Sequence, residues 1–169
     1  MKHPCQTFVE HELGAISEAQ LIEWACDVLS SDGPLADDLT VAELAALRPQ
    51  VHSDLELAGG YFRSIIRSHF PEFTFRSPDG ILWARETLRR RCDDYIQQRI
   101  TPYEFCRVVS PVEEHFDFPS WLGNLYNACD WIDGHTKRED VPYLADEARK
   151  VHDAAYPCAL PRPKGTPGN

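Results

Sequence analysis

Apolar residues recur every three or four positions along several stretches of the chain, which is the spacing of amphipathic helices. In "SEAQLIEWACDVLSS" the apolar stripe consists of Leu21, Ile22, Ala25, Val28 and Leu29. The longest pattern predicts a helix over about 78–99, with a stripe of Ile81, Ala84, Leu88, Cys92, Tyr95 and Ile96. Arg85 falls inside that stripe. We expect its stem to lie on the core while its head reaches water or pairs with a carboxylate of another helix.

Helix starts are marked by a repeated capping pattern. A Ser or Thr followed three residues later by Glu or Gln can satisfy two backbone N–H groups at a helix start. Five such tetrapeptides occur, at residues 17–20, 40–43, 53–56, 101–104 and 110–113. Two of them place Pro102 and Pro111 at the first helical position, where the missing N–H does no harm. The pattern predicts a helical protein.

The predicted helices are bounded by prolines and glycines. We expect them over about 4–13, 18–30, 41–47, 53–69, 78–99, 102–109, 111–116, 119–132 and 138–155. Pro49, Pro111 and Pro119 set boundaries, because a proline disfavours helical geometry in the residue before it. Gly59 and Gly60 weaken the segment 53–69, and close helix packing would explain them. The segment "PEFTFRSPDG" at 71–80 is predicted to be a loop.

Composition agrees with one folded domain. The chain has 169 residues, of which 43% are hydrophobic and 26% charged, and these are globular values. The predicted fold is all-α, a single-domain bundle of about six to eight helices over residues 1–156, several of them short. The tail at 157–169 is rich in proline, and we expect it to be flexible.

Charge is unevenly distributed along the chain, whose formal net charge is −10. Residues 1–60 carry 2 basic and 11 acidic groups, residues 61–109 carry 9 and 6, and residues 110–169 carry 6 and 10. Two acidic ends therefore flank a basic middle. Such a protein is repelled by nucleic acid and attracted to a basic partner.

The first residues contain no apolar run of signal-peptide length, so we expect a cytoplasmic protein that does not insert into a membrane. The six cysteines are scattered, without a CxxC pair that would indicate a zinc ribbon. Four of them are expected to be free thiols in the core, namely Cys26, Cys92, Cys106 and Cys129. A disulfide framework would require an exported protein.

Signs of catalysis are sparse. The chain has no GxxxxGK[ST], GxGxxG, GxSxG or HExxH motif, and its seven histidines never lie three or four positions apart. A nucleophile and base could be drawn from Cys106 with His115 or from Cys129 with His135, but activation needs spatial contact. The acids of "EEHFDF" at 113–118 fit a solvated helix end better than acid-base chemistry. We therefore expect no enzyme, no cofactor and no metal, although distant histidines could still meet.

The segment "FPSWLGNLYNACDWID" raises a different possibility. On a helix over 119–132, one broad face consists of Trp121, Leu122, Leu125, Ala128, Cys129 and Ile132. Trp131 falls away from that face, beside Asn124 and Asn127. Either a second layer covers Trp131, such as the final helix or the tail, or it is exposed for a partner.

Two segments, "GAISEAQLIEWACDVL" and "TPYEFCRVVSPVEEHFDFPSWLGNLYNACDWID", resemble the small helical immunity proteins that bacteria encode beside polymorphic or contact-dependent toxins. The resemblance implies a non-enzymatic protein that binds one cognate toxin and blocks its active site. On this hypothesis the charge comes from Glu113, Glu114, Asp117, Asp130 and Asp133, with Trp131 as anchor. A second acidic candidate consists of Asp32, Asp37 and Asp38. The expected partner is a basic toxin, for example a nuclease.

Two other classes of function remain open. A helical adaptor or regulatory domain with another basic partner predicts the same surface. A small metal-dependent hydrolase predicts histidines, cysteines or carboxylates gathered in a buried pocket.

Overall fold

A computed structural model describes residues 2–154, which form eight α-helices and no strand. The helices are α1 (Pro4–Glu12), α2 (Glu18–Leu29), α3 (Leu39–Ala45), α4 (His52–His69), α5 (Pro78–Ile96), α6 (Pro102–Phe116), α7 (Leu125–Cys129) and α8 (Pro142–Asp153). Two 3₁₀ turns, Ser120–Leu122 and Arg138–Asp140, flank α7. The predicted all-α helical bundle is confirmed. The tail at 157–169 lies outside the described residues.

The core has two parts. The N-terminal cluster joins α2, α3 and α4 and includes Trp24 and Phe62. The C-terminal cluster joins α5, α6, α7 and α8 and includes Tyr95 and Phe105. Helix α1 belongs to both, because its Cys5 is in the N-terminal cluster while Val9 and Leu13 are in the C-terminal one. Phe73 and Trp83 also pack against both clusters, so the two parts form a continuous body.

The regular helices follow the sequence pattern closely. Helices α1, α2, α4 and α5 begin within one residue of the predicted positions, and residues 71–77 form the predicted loop. Gly59 is buried in α4, but an added Cβ would make only ordinary van der Waals contacts, so close packing does not require either glycine. A Cβ at Gly59 would lie 3.4 Å from Cε1 of His11 in α1, whereas Gly60 has no such neighbour. Helix α5 ends at Ile96 rather than near 99, since Gln98 adopts a left-handed φ of 60°.

The capping prediction is confirmed in part. Thr101 and Glu104 form a reciprocal pair, in which each side chain accepts from the other residue's backbone N–H. Helix α3 begins at Leu39 rather than 41, because Asp38 instead of Thr40 provides the cap and accepts from the N–H of Val41 at 2.9 Å.

The predicted break at Pro111 is wrong. Helix α6 runs without interruption from Pro102 to Phe116, with Pro111 inside it. A proline in a helix interior costs about 3 kcal/mol, mainly through one lost hydrogen bond and a local clash. Here Val108, Val109 and Val112 are buried on both sides of the proline. Their burial, at about 1.5–3 kcal/mol for each large aliphatic side chain, offsets that local cost.

The predicted helix over 119–132 is also wrong in its continuity. The segment consists of the 3₁₀ turn Ser120–Leu122 and the short helix α7, which are separated by Gly123. Gly123 has a φ of +61° and a ψ of −135°, a conformation that glycine adopts without a Cβ clash. Likewise, a 3₁₀ turn occupies the start of the predicted helix over 138–155, and α8 begins only at Pro142.

The expectation for the cysteines needs correction at three positions. Cys106 of α6 and Cys129 of α7 form a disulfide, with their Cα atoms 5.4 Å apart. The pair was missed because a separation of 23 residues says nothing about distance in the fold. Cys26 is free but exposed, whereas Cys92 is a free, buried thiol as expected.

Candidate protein-binding surface

The chain turns sharply where α6 ends. Asp117 and Phe118 both have left-handed backbone conformations, with φ values of 55° and 52°. Residues other than glycine seldom adopt positive φ, and such strain is concentrated at functional sites. The turn leaves Phe118 58% exposed, with its ring edge-to-face against Tyr126 of α7 at a centroid distance of 5.4 Å. An aromatic side chain is thereby held at the surface.

Trp131 follows α7 and is the most exposed large apolar side chain of the described residues, at 90%. Of the two alternatives from the sequence, exposure is the one observed in the described part of the chain. Cys129, two residues earlier, is tied to α6 by the disulfide. An exposed tryptophan next to a backbone held by a disulfide suits an interface anchor.

The acidic residues near Trp131 differ in their roles. Asp130 is exposed. The carboxylate of Asp133 accepts from the N–H of His135 at 2.9 Å and from Oγ1 of Thr136 at 3.0 Å. These hydrogen bonds, the backbone one foremost, hold the pKa of Asp133 below its usual range. Asp133 therefore stays ionised to a lower pH than an ordinary aspartate, and its hydrogen bonds order the loop after Trp131.

The predicted binding residues fall into two groups along α6. The disulfide places the end of α7, and hence Asp130 and Trp131, beside Cys106 in the first half of α6. Glu113, Glu114 and Asp117 lie 7 to 11 positions further along, roughly 10–17 Å at the rise of an α-helix. The sequence did not show this separation.

Helix α7 connects the two groups, since it packs against α6 and carries Tyr126, which contacts Phe118. We call the resulting region the α7 surface, and it consists of Asp117, Phe118, Tyr126, Asp130, Trp131 and Asp133. Glu114 is exposed and Glu113 half-buried, and both lie one turn before Asp117 on α6, outside the region defined here. Phe118 and Tyr126 were missed, because periodicity does not encode a left-handed turn.

One residue of the second acidic candidate, Asp38, has a structural role. The carboxylate of Asp38 caps α3 and also bonds to Nε2 of His69 at 2.7 Å. Burial raises the pKa of Asp38, but the hydrogen bonds from His69 and Val41 outweigh it and leave the pKa below its usual range. Asp32 and Asp37 remain exposed. No exposed large aromatic lies beside them in the described residues, so we favour the α7 surface.

Neither nucleophile pair suggested by the sequence has a free thiol, because Cys106 and Cys129 form a disulfide with each other. The ring of His115 stacks on Phe75 at a centroid distance of 4.1 Å. Burial raises the pKa of Cys92 to about 12 and that of Cys5 to about 11, which keeps both thiols protonated and poorly nucleophilic at neutral pH. Within residues 2–154, no three His, Cys, Asp or Glu side chains are arranged to hold a metal ion.

Comparisons with known proteins give no relative: no protein-family profile matches the chain, and neither does any curated protein or solved structure. Across the described range, every helix is too short or too polar to cross a bilayer.

Proposed function

We propose that this protein is a non-catalytic immunity protein, which binds a basic toxin through the α7 surface and covers the toxin's active surface. The observation that carries the proposal is Trp131, which is 90% exposed between Asp130 and Asp133. When the ring of Trp131 is buried on association, a large apolar area is removed from water, which stabilises the complex. In the free protein this area stays in contact with water. Both the position and the chemistry suit a partner-binding anchor.

Charge supports the same conclusion. The chain carries −10 overall, and the last 60 residues, which include the whole α7 surface, contain 10 acidic and 6 basic groups. Opposite charge accelerates the encounter of two proteins and excludes partners of like charge. A basic toxin, such as a nuclease with a cleft for phosphates, has the complementary surface.

Rigidity adds to the affinity that such a surface can reach. The disulfide fixes α7 on α6, and the hydrogen bonds of Asp133 order the loop that follows Trp131. A binding segment that is already ordered loses less entropy on association than a mobile one. The α7 surface is therefore pre-organised for binding.

The first test is co-expression of this protein with the product of the adjacent gene, with cell survival and co-purification as readouts. Rescue together with a stable complex is the expected result. A harmless neighbour that does not bind contradicts the immunity proposal, and a basic partner found elsewhere supports the adaptor class instead.

The second test examines the surface on the purified complex. We expect Trp131→Ala to weaken binding at least about 30-fold, the size of an interface hot spot. Asp130→Lys should slow association and flatten its salt dependence. The matched controls are Tyr143→Ala, an exposed aromatic of α8, and Glu23→Lys, an exposed acid of α2. Unchanged binding by both test variants would exclude the α7 surface.

A further inference from the structure

A cleft of about 650 Å³ lies where α1, the start of α2, α5 and α8 meet, apart from the α7 surface. Its cationic lining consists of Lys2, Arg89, Arg90, Arg91 and Arg99. Among the described residues, three carboxylates line it, those of Glu10, Asp93 and Asp94, and a fourth, that of Glu86, pairs with Arg89. Four of the nine basic residues of the basic middle thus lie around one concave site, whose described lining carries more cationic than acidic side chains, within an acidic protein.

The cationic groups are held in place by contacts at the cleft wall. Glu10 is only 1% exposed and accepts from Nζ of Lys2 at 2.7 Å and from Nη2 of Arg90 at 2.6 Å. Arg91 donates from Nη2 to the backbone carbonyl of Ala15 at 2.6 Å. Arg99 is paired with both Asp93 and Asp94. These contacts reduce the entropy that the side chains would lose on binding a ligand.

Two buried polar atoms on the α5 side of the cleft lack a hydrogen-bond partner. Thr87 lines the cleft and is 2% exposed, and its Oγ1 has no partner. Nε of Arg90 also has none, although the same guanidinium contacts Glu10. Thr87 and Arg90 are three positions apart and hence neighbours on the helix surface. Unsatisfied buried polar groups are rare, and both the Thr87 hydroxyl and the Arg90 Nε–H can donate to an acceptor.

We propose that this cleft binds a small phosphate-bearing anion. The phosphate oxygens would accept from Thr87 and Arg90, and their charge would match the surplus of arginines. The volume lies within the range of small-molecule sites, about 300–1,000 Å³. The described lining contains no Phe, Tyr or Trp, and its aromatic ring is the imidazole of His152. The charge of the lining favours a phosphate or pyrophosphate group, either free or carried by a small molecule.

The test is calorimetric titration of the full-length protein with pyrophosphate, inorganic phosphate and glucose 6-phosphate, each at constant ionic strength, with sulfate as the reference anion. We expect pyrophosphate to bind more tightly than sulfate. Tighter binding of glucose 6-phosphate than of inorganic phosphate would assign the site to a phosphate ester, and the reverse order would assign it to the free ion. Equal binding of sulfate and pyrophosphate, or no binding of any probe, overturns the proposal.

Variants separate binding from folding. Thr87→Val removes the unpartnered hydroxyl while keeping the shape, so we expect an unchanged or higher melting temperature together with about tenfold weaker pyrophosphate binding. Arg90→Lys keeps the charge near Glu10 but loses Nε, and we expect it to weaken binding as well. Thr40→Val and Arg48→Lys, away from the cleft, are the matched controls. Wild-type affinity in Thr87→Val would contradict the site, whatever the outcome for the α7 surface.

Discussion

The two halves of the core are built differently. In the N-terminal cluster, three helices of 7 to 18 residues pack against one another, and the described cysteines of that half are free. In the C-terminal cluster, the five-residue α7 and two 3₁₀ turns lie against long helices, and a disulfide ties α7 down. Helices shorter than about 12 residues are marginal without tertiary support. The irregular half thus combines tertiary packing with a covalent link, and this half presents the exposed aromatics.

The largest expected effect on the free energy of unfolding comes from removing one buried aromatic side chain of either cluster. Phe62 and Phe105 are both fully buried, Phe62 edge-to-face with Trp24 and Phe105 stacked on Tyr95, each at 4.8 Å. Replacement of either by Ala should lower the free energy of unfolding by roughly 3–5 kcal/mol, because it leaves a cavity as well as removing buried area. Urea denaturation measures this change.

Hydrogen exchange on the same variants tests whether the halves differ in cooperativity. In Phe62→Ala we expect amides of α2 and α4 to lose protection first, while α6 keeps its protection because the disulfide and the C-terminal cluster are intact. Equal loss of amide protection in α2 and α6 would show that the core is one cooperative unit, joined by the shared α1, Phe73 and Trp83.

Loss of the disulfide is expected to have the next largest effect. Replacing Cys106 and Cys129 by Ser opens a loop of 23 residues, and the chain-entropy account predicts a loss of about 3 kcal/mol. Urea unfolding measures it, with Cys26→Ser, an exposed free thiol, as the control. The control should stay within about 0.5 kcal/mol of the wild type. A double variant as stable as the oxidised wild type would mean that packing alone holds α7 in place.

The same two halves show what sequence patterns can and cannot predict. Helices α2 and α4 were predicted within a residue or so, because a 3.6-residue period and local breakers act within one segment. The prediction for α6 was wrong at Pro111 because the sequence shows only the local energetic cost of a proline inside a helix. The stabilisation that offsets this cost comes from Val108 and Val112, which are buried against other elements. The disulfide and the Gly123 turn likewise depend on tertiary structure.

For the α7 surface, the sequence placed Trp131 away from the apolar face, and the structure finds it exposed. The sequence did not reveal Phe118, which is exposed by a left-handed turn, nor the distance between Glu114 and Asp130 along α6. Which residues actually bind a partner stays a prediction. Helical periodicity shows the side that a residue faces, whereas the neighbours of that residue in space depend on how the helices pack.

The smallest expected effect compares the helix caps of the two halves. At α6, Thr101 Oγ1 accepts from the N–H of Glu104 at 3.2 Å, and Oε2 of Glu104 accepts from the N–H of Thr101 at 2.8 Å. At α2, Gln20 accepts from the N–H of Ser17, but the N–H of Gln20 bonds to the carbonyl of Ser17 instead of its side chain. We therefore expect Thr101→Ala to cost about 1 kcal/mol and Ser17→Ala less, as measured by urea unfolding.

Lowering the pH tests whether the difference between Thr101→Ala and Ser17→Ala depends on the carboxylate of Glu104. The backbone N–H of Thr101, and next its hydroxyl, hold the pKa of Glu104 below its usual range. A carboxyl with a lowered folded-state pKa contributes stability that is present above its unfolded-state pKa and is lost as the pH falls through the folded-state value. The hydroxyl of Thr101 donates to Glu104 as well. The deficit of Thr101→Ala should therefore shrink in acid, while that of Ser17→Ala, whose partner Gln20 does not titrate, should stay constant. A constant deficit at Thr101 would show that its cap acts without the carboxylate.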